Sequence, residues 1–206
     1  MIIAKAVFEV EPWDGPAVPW AARADPWSWV ALDAACTDGQ IGLFLAVLAS
    51  RFDVSPQDGP ARIADALVAE EMLLVNGGLR VADTATGSVV VPGCCAGLES
   101  WHEWADLAAG RAVWLGHDPE PTVEAIGDDL RIWQNRGSGD HVDIPRAVLP
   151  SLLLGVRRDL VGFLGALALW GVRAGLGERT AALVEAVGAM LLPVDVRDSL
   201  TSSGRA

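Results

Sequence analysis

Apolar residues recur with two different periods along this chain, and beyond residue 37 the dominant period changes twice. In "TDGQIGLFLAVLASRF", Ile41, Phe44, Leu45 and Leu48 fall on one helical face. Between residues 77 and 135 the pattern shortens to strand-sized runs, "GGLRVAD", "GSVVVPG", "AVWLG", "TVEAI" and "LRIWQN", separated by turn residues. Helical spacing returns over 145–173 and, after a "GLGE" break, over 179–192. Strands gathered in the middle, with helices on both sides, point to an α+β fold. The expected architecture is a mostly antiparallel central sheet flanked by an N-terminal helical pair and C-terminal helices.

Local signals fill in the elements. "MIIAKAVFEV" alternates as a half-buried strand does, with Ile2, Ala4, Ala6, Phe8 and Val10 on one face and Lys5 and Glu9 on the other. Thr37 or Asp38 is placed to cap the first helix. A second helix runs through "SPQDGPARIADALVAEEMLLV", with Pro60 in its first turn and Ile63, Ala66, Leu67 and the 72–74 cluster as its stripe. "GLESWHEWADLAAG" reads as a helix closed by Gly110, with Leu98, Trp101, Trp104 and Leu107 inward and Glu99, Glu103 and Asp106 nearer solvent. "TVEAI" and "LRIWQN" join at "GDD" as a hairpin. A proline-rich loop over 12–26 and the residues after it carry Trp13, Trp20, Trp27 and Trp29, which either fold back as a lid or form an exposed surface. One domain is expected over residues 1–198, with 199–206 a flexible tail.

The 206 residues include 27 acidic and 15 basic ones, a formal charge of −12. Phosphate binding depends on clustered Lys and Arg, so nucleic acid is not an expected partner. The acidity suits solubility, and it is compatible with a cationic protein partner because complementary fields speed encounter. Hydrophobic residues make up 51% and charged residues 20%, which places the chain outside the disordered class. The strongest membrane candidate, "LVGFLGALALWGV", has thirteen residues between Asp159 and Arg173. That length suits a buried helix better than a membrane span, so no membrane partner is expected. No secretory signal is read from "MIIAKAVFEVEPW", and three cysteines without one fit a reducing, cytoplasmic setting.

Two stretches carry the groups capable of chemistry. In "VVVPGCCAGLESWHEW" an apolar run ends at Pro92, a glycine turn presents Cys94 and Cys95, and Trp101, His102, Glu103 and Trp104 follow. Adjacent residues on an extended chain point to opposite sides, so the two thiols are not expected to reach one ion. One cysteine with His102 and His117 is a conceivable zinc set, but of no standard spacing; no metal and no other cofactor is the expectation. A nucleophilic reading has Cys95 ahead of a helix start, one of His102, His117 or His141 as base, and Asp118 or Asp143 as orienter. Buried structural thiols are the plainer alternative. In "WLGHDPEPTVE", His117, Asp118 and Glu120 sit on a proline-stiffened loop between strands, a position where binding residues commonly lie. Asp118 before Pro119 also suits a simple turn start.

"PGCCAGLESWHEW", "WLGHDPEPTVE" and "LRIWQN" together resemble a family of uncharacterised actinobacterial proteins. Its members share a Gly-Cys-Cys-x-Gly-Leu-Glu-x-Trp-x-Glu-Trp core and a Trp-x-Gly-His-Asp-Pro-x-Pro loop. The resemblance covers residues 77–135 and implies no catalytic assignment. In acidity and α+β character the chain is also similar to bacterial immunity proteins of the Smi1/Knr4-like type, a likeness of general character. Three functions stand open. The first is a non-enzymatic acidic protein-binding module, a toxin-neutralising immunity or regulatory protein. It would meet a cationic partner through His117, Asp118, Glu120 and Glu124, with Glu99, His102 and Glu103 as further binding residues. The second is a small-molecule or metal-dependent enzyme centred on Cys94, Cys95, His102 and His117. The third is a structural scaffold. The acidity, the tryptophan-rich loops and the lack of a clear catalytic set favour the first.

Overall fold

The structure, a computed structural model, describes residues 1–12, 16–52 and 54–193; Trp13 and the tail 199–206 lie outside the described residues. The fold is α+β, with seven strands in two antiparallel sheets and five α-helices among the described residues. The chain falls into two compact units, residues 1–7 with 76–158 and residues 8–75 with 159–193. Strand β1 (Ile2–Glu9) and helix α4 (Leu149–Arg173) each contribute residues to both.

In the first unit, β1 neighbours β3 (Gly77–Asp83), and β3 pairs antiparallel with β4 (Val89–Val90), Val81 facing Val90. Asp83 holds the intervening "TATG" turn: its Oδ1 accepts from the Ala85 N–H at 2.9 Å and from the Met1 amine at 3.1 Å. A separate three-stranded meander follows, β5 (Thr122–Ile126), β6 (Asp129–Asn135) and β7 (Ser138–Pro145). The strands therefore divide between two sheets instead of forming one. The "GDD" hairpin forms, with Ile126 opposite Asp129. Strand β7 lies beyond the sequence reading, which carries the last helices back to residue 145. Its apolar signal is two residues long, Val142 and Ile144, both buried, behind a polar and glycine-rich start. Conversely, "AVWLG" forms no named strand.

Gln134 on β6 joins the two sheets of this unit. Its carboxamide accepts the Val91 N–H at 2.8 Å and donates to the Val91 carbonyl at 3.2 Å, so a side chain stands in for a neighbouring strand beyond β4. The core between them is made by Leu79, Val81, Val90, Leu98, Trp101, Ile132, Val142 and Ile144, all buried.

The "GLESWHEW" segment is not one α-helix. A 3-10 turn spans Leu98–Glu103, and the short helix α3 (Trp104–Ala108) continues it to Gly110, which has φ 77°. Leu98, Trp101, Trp104 and Leu107 recur at every third residue, and all four are buried. Strict threefold spacing stays on one face only when the turn holds three residues, so the apolar pattern itself matches the tighter helix.

In the second unit, β2 (Trp29–Ala31) neighbours β1 and the core is helical. Phe44 of α1 (Asp38–Ala49) stands edge-on to Phe8 at 5.3 Å and to Phe163 at 5.2 Å. Thr37 caps α1, closing a reciprocal capping box with Gln40. A 3-10 turn at Pro56–Asp58 precedes α2 (Gly59–Ala69), which ends before the 72–74 cluster; Met72 is exposed. Helix α2 packs against α1 and against α5 (Arg179–Leu191), where Arg179 reaches Asp65 at 2.6 Å. Glu9, expected on the solvent face of β1, is buried, as is Val7: the end of this strand is covered on both faces. The tryptophans of the loop divide. Trp20 packs on Trp170 at 6.3 Å, and its carbonyl lies so close to α1 that a Cβ on Gly42 would stand 1.8 Å away, whereas Trp27 is exposed. "LVGFLGALALWGV" buries Leu160, Phe163, Leu167 and Trp170 but leaves Val161, Leu169 and Val172 exposed. No helix among the described residues is long and apolar enough to cross a membrane.

Candidate metal centre and adjoining cavity

The site is made where the two motif stretches cross. Both belong to the first unit, and they run antiparallel: the Gly93 N–H donates to Leu115, the Cys94 N–H to His117 at 2.6 Å, and the His117 N–H back to Cys94 at 3.1 Å. The backbones touch through glycine. A Cβ on Gly93 would lie 2.3 Å from the Pro119 carbonyl oxygen, and one on Gly116 would lie 2.4 Å from that of Gly93. Direct opposition in this narrow bridge puts the side chains of Cys94 and His117 on the same side.

Cys95 completes the cluster by a turn of the chain. Its φ is +64°, in the left-handed region, so the rule that neighbours on an extended chain diverge does not apply. The two Sγ atoms stand 3.3 Å apart, which corrects the expectation that they point to opposite sides. One donor atom each from Cys94, Cys95 and His117 lies within 4.8 Å of the others. Cys94 is half-buried, and Cys95 and His117 are exposed. Asp118 (φ 47°, cis bond to Pro119) places its Oδ2 3.4 Å from His117 Nδ1.

The other anticipated residues divide by location. Glu99 and Glu103 line a cavity of about 130 Å³ together with Cys95, Trp101, Trp104 and Trp114. His102 is held elsewhere: its Nδ1–H donates to the Glu99 carbonyl at 2.9 Å, its ring meets Trp101 edge-on, and it takes no part in the cysteine cluster. Glu120 is engaged by Arg136 in a two-pronged pair at 2.5 and 2.8 Å, which holds its carboxyl below the usual range. Glu124 accepts from the indole N–H of Trp133 at 3.1 Å. Trp133 also lies against His141, and Arg131 sits over its ring while pairing with Asp143. Asp143 is thereby occupied on the meander and stands in no contact with the cysteines. Its carboxyl is held low by Arg131, so the stabilisation is present above the ordinary carboxylate pKa and is lost as pH falls through the lowered one.

Trp114 is the residue that sequence reasoning did not single out. It is 60% exposed, it lines the cavity, and its ring lies 6.5 Å from that of His117, which makes it the shared wall of cavity and cluster. Its position in "AVWLG" suggests strand packing, and only the crossing with Gly93 reveals its place. Comparison with known protein families, with curated proteins and with solved structures finds no match to this chain.

Proposed function

We propose that Cys94, Cys95 and His117 bind one soft metal ion, and that the protein uses it to engage a small molecule held in the adjoining cavity. The observation that carries this reading is the convergence of two thiols and an imidazole within 4.8 Å, with Cys95 also lining the cavity. Thiolates about 2.3 Å from a tetrahedral zinc ion stand roughly 3.8 Å apart, so the present spacing needs only a small adjustment. Two thiolates and an imidazole select zinc or copper(I) over magnesium or calcium. Structural zinc sites are closed by four protein ligands, whereas three leave a position for an exogenous group. The carboxylate of Asp118 beside the His117 ring suits the orienting role that such outer groups play.

The acidic protein-binding reading retains Asp118 as a fully exposed carboxylate. It is less well supported at Glu120 and Glu124, which are already engaged by Arg136 and Trp133.

The test is a zinc titration of the reduced, purified chain against a chromophoric chelator, repeated with cobalt(II). One equivalent should bind with submicromolar affinity, and cobalt should give a thiolate charge-transfer band. Cys95→Ser and His117→Ala, both at exposed positions, remove a ligand and should weaken binding by more than the roughly 10–100-fold that loss of an outer-shell partner costs, while leaving the unfolding midpoint in place. Zinc binding that is unchanged in Cys95→Ser would overturn the proposal.

A further inference from the structure

We infer that the cavity beside the cysteine cluster is a recognition site for a small organic cation, a compact ammonium group. This deepens the metal-centre reading by naming the class of small molecule, and it rests on that reading only for the role of Cys95. The volume, about 130 Å³, is of the order that admits a molecule of benzene's size. Three indoles line it: Trp101 and Trp104 are buried, and Trp114 at the rim is 60% exposed. A single exposed indole is ordinary on a protein surface; what matters here is that the open Trp114 ring lines the same cavity as two carboxylates. The charged lining is acidic, from Glu99 and Glu103, and among the described lining residues none is Lys, Arg or His. The exposed Trp114 ring beside carboxylates favours a cation over an anion, and an ammonium group matches both at once. A metal ion does not fit the same lining. Among the described residues the cluster with three converging ligand atoms is Cys94, Cys95 and His117, and neither glutamate belongs to it.

The position of Glu99 is built into the chain. Its carboxylate folds over Gly97, where a Cβ would stand 1.9 Å from Oε1. Gly97 has φ −93° and ψ 135°, a conformation open to alanine, so Gly97→Ala displaces the carboxylate without straining the backbone. The substitution thus moves a charge inside the cavity while the fold stays as it is.

Choline and its neutral isostere 3,3-dimethylbutan-1-ol have the same shape and differ in charge. Calorimetric titration of the metal-free protein with each reads the cavity alone, and repetition on zinc-loaded protein reads the centre beside it. Choline should bind saturably in the millimolar range or tighter, and the neutral isostere should bind roughly tenfold more weakly or less well still. Glu99→Gln, Gly97→Ala and Trp114→Ala should each lower choline affinity severalfold, and the two exposed or strain-free changes should leave the unfolding midpoint unmoved. Equal binding of choline and the isostere would overturn the inference, as would no saturable binding of choline to folded protein. A chain that binds choline but not zinc would refute the metal centre and leave the cation site standing; the reverse result would do the opposite.

Discussion

Trp101→Ala is expected to destabilise the protein by about 3–5 kcal/mol, among the largest losses available to one core substitution. The side chain is 1% exposed and sits at the turn of the 3-10 segment, between Leu98 and Trp104 on the same buried face. Removing an indole there forfeits its dispersion contacts and leaves a void that its neighbours fill only in part. A urea titration should show the midpoint falling with little change in slope, because the surface exposed on unfolding is nearly the same. Trp114→Ala supplies the contrast. At 60% exposure it should fall within about 0.5 kcal/mol of the parent, although it removes the same number of atoms. Equal midpoints for Trp101→Ala and the parent would mean that the "GLESWHEW" segment does not form the core of its unit.

That segment also shows what the sequence carried and where it misled. The inward set of Leu98, Trp101, Trp104 and Leu107 is legible, because threefold spacing collects apolar residues on one side. The same spacing also distinguishes a 3-10 turn from an α-helix, since four positions three apart drift around an α-helix but not around a 3-10 one. The α+β class follows from the change of period, and residue chemistry narrows the cap of α1 to Thr37 or Asp38, between which the structure selects Thr37. Division of the strands into two sheets is not legible, because pairing partners distant in sequence leave no periodic trace. Strand β7 escapes notice for a local reason: its first half, "SGDH", is polar on both faces.

For the candidate site, the residues were visible and their arrangement was not. Cys94, Cys95 and His117 all draw attention as reactive types. The rule that adjacent side chains diverge assumes an extended backbone, and a single left-handed residue at Cys95 reverses it. A cysteine at positive φ is uncommon enough that sequence alone gives no reason to expect it. The acidic loop illustrates the opposite error. Glu120 and Glu124 look available in the sequence, yet Arg136 and Trp133, more than eight residues away, occupy them.

Gly116→Ala is expected to be the most damaging single change at the centre, through the backbone rather than through any ligand. Gly116 has φ +97°, where a side chain is strained, and its Cβ would stand 2.4 Å from the oxygen and 2.5 Å from the carbon of Gly93. Strained backbone costs on the order of 1–3 kcal/mol and overpacking about the same again, so a loss of roughly 2–6 kcal/mol follows if the two segments stay paired. The alternative is that they separate. The cost then falls, but the hydrogen bonds that set Cys94 opposite His117 open, and zinc affinity should drop by roughly a hundredfold or more. Two further alanines separate the causes. Gly110 has φ +77° with nothing within 4 Å of its Cβ, so Gly110→Ala carries the conformational cost alone, about 1 kcal/mol. Gly93→Ala carries the collision, with the Pro119 oxygen at 2.3 Å and the His117 nitrogen at 2.6 Å. Chemical denaturation and the zinc titration, run on all three, should rank Gly110→Ala mildest on both measures and inert toward zinc. If Gly116→Ala instead matched Gly110→Ala in stability and kept full zinc affinity, the glycine crossing would not be what brings the cysteines and His117 together.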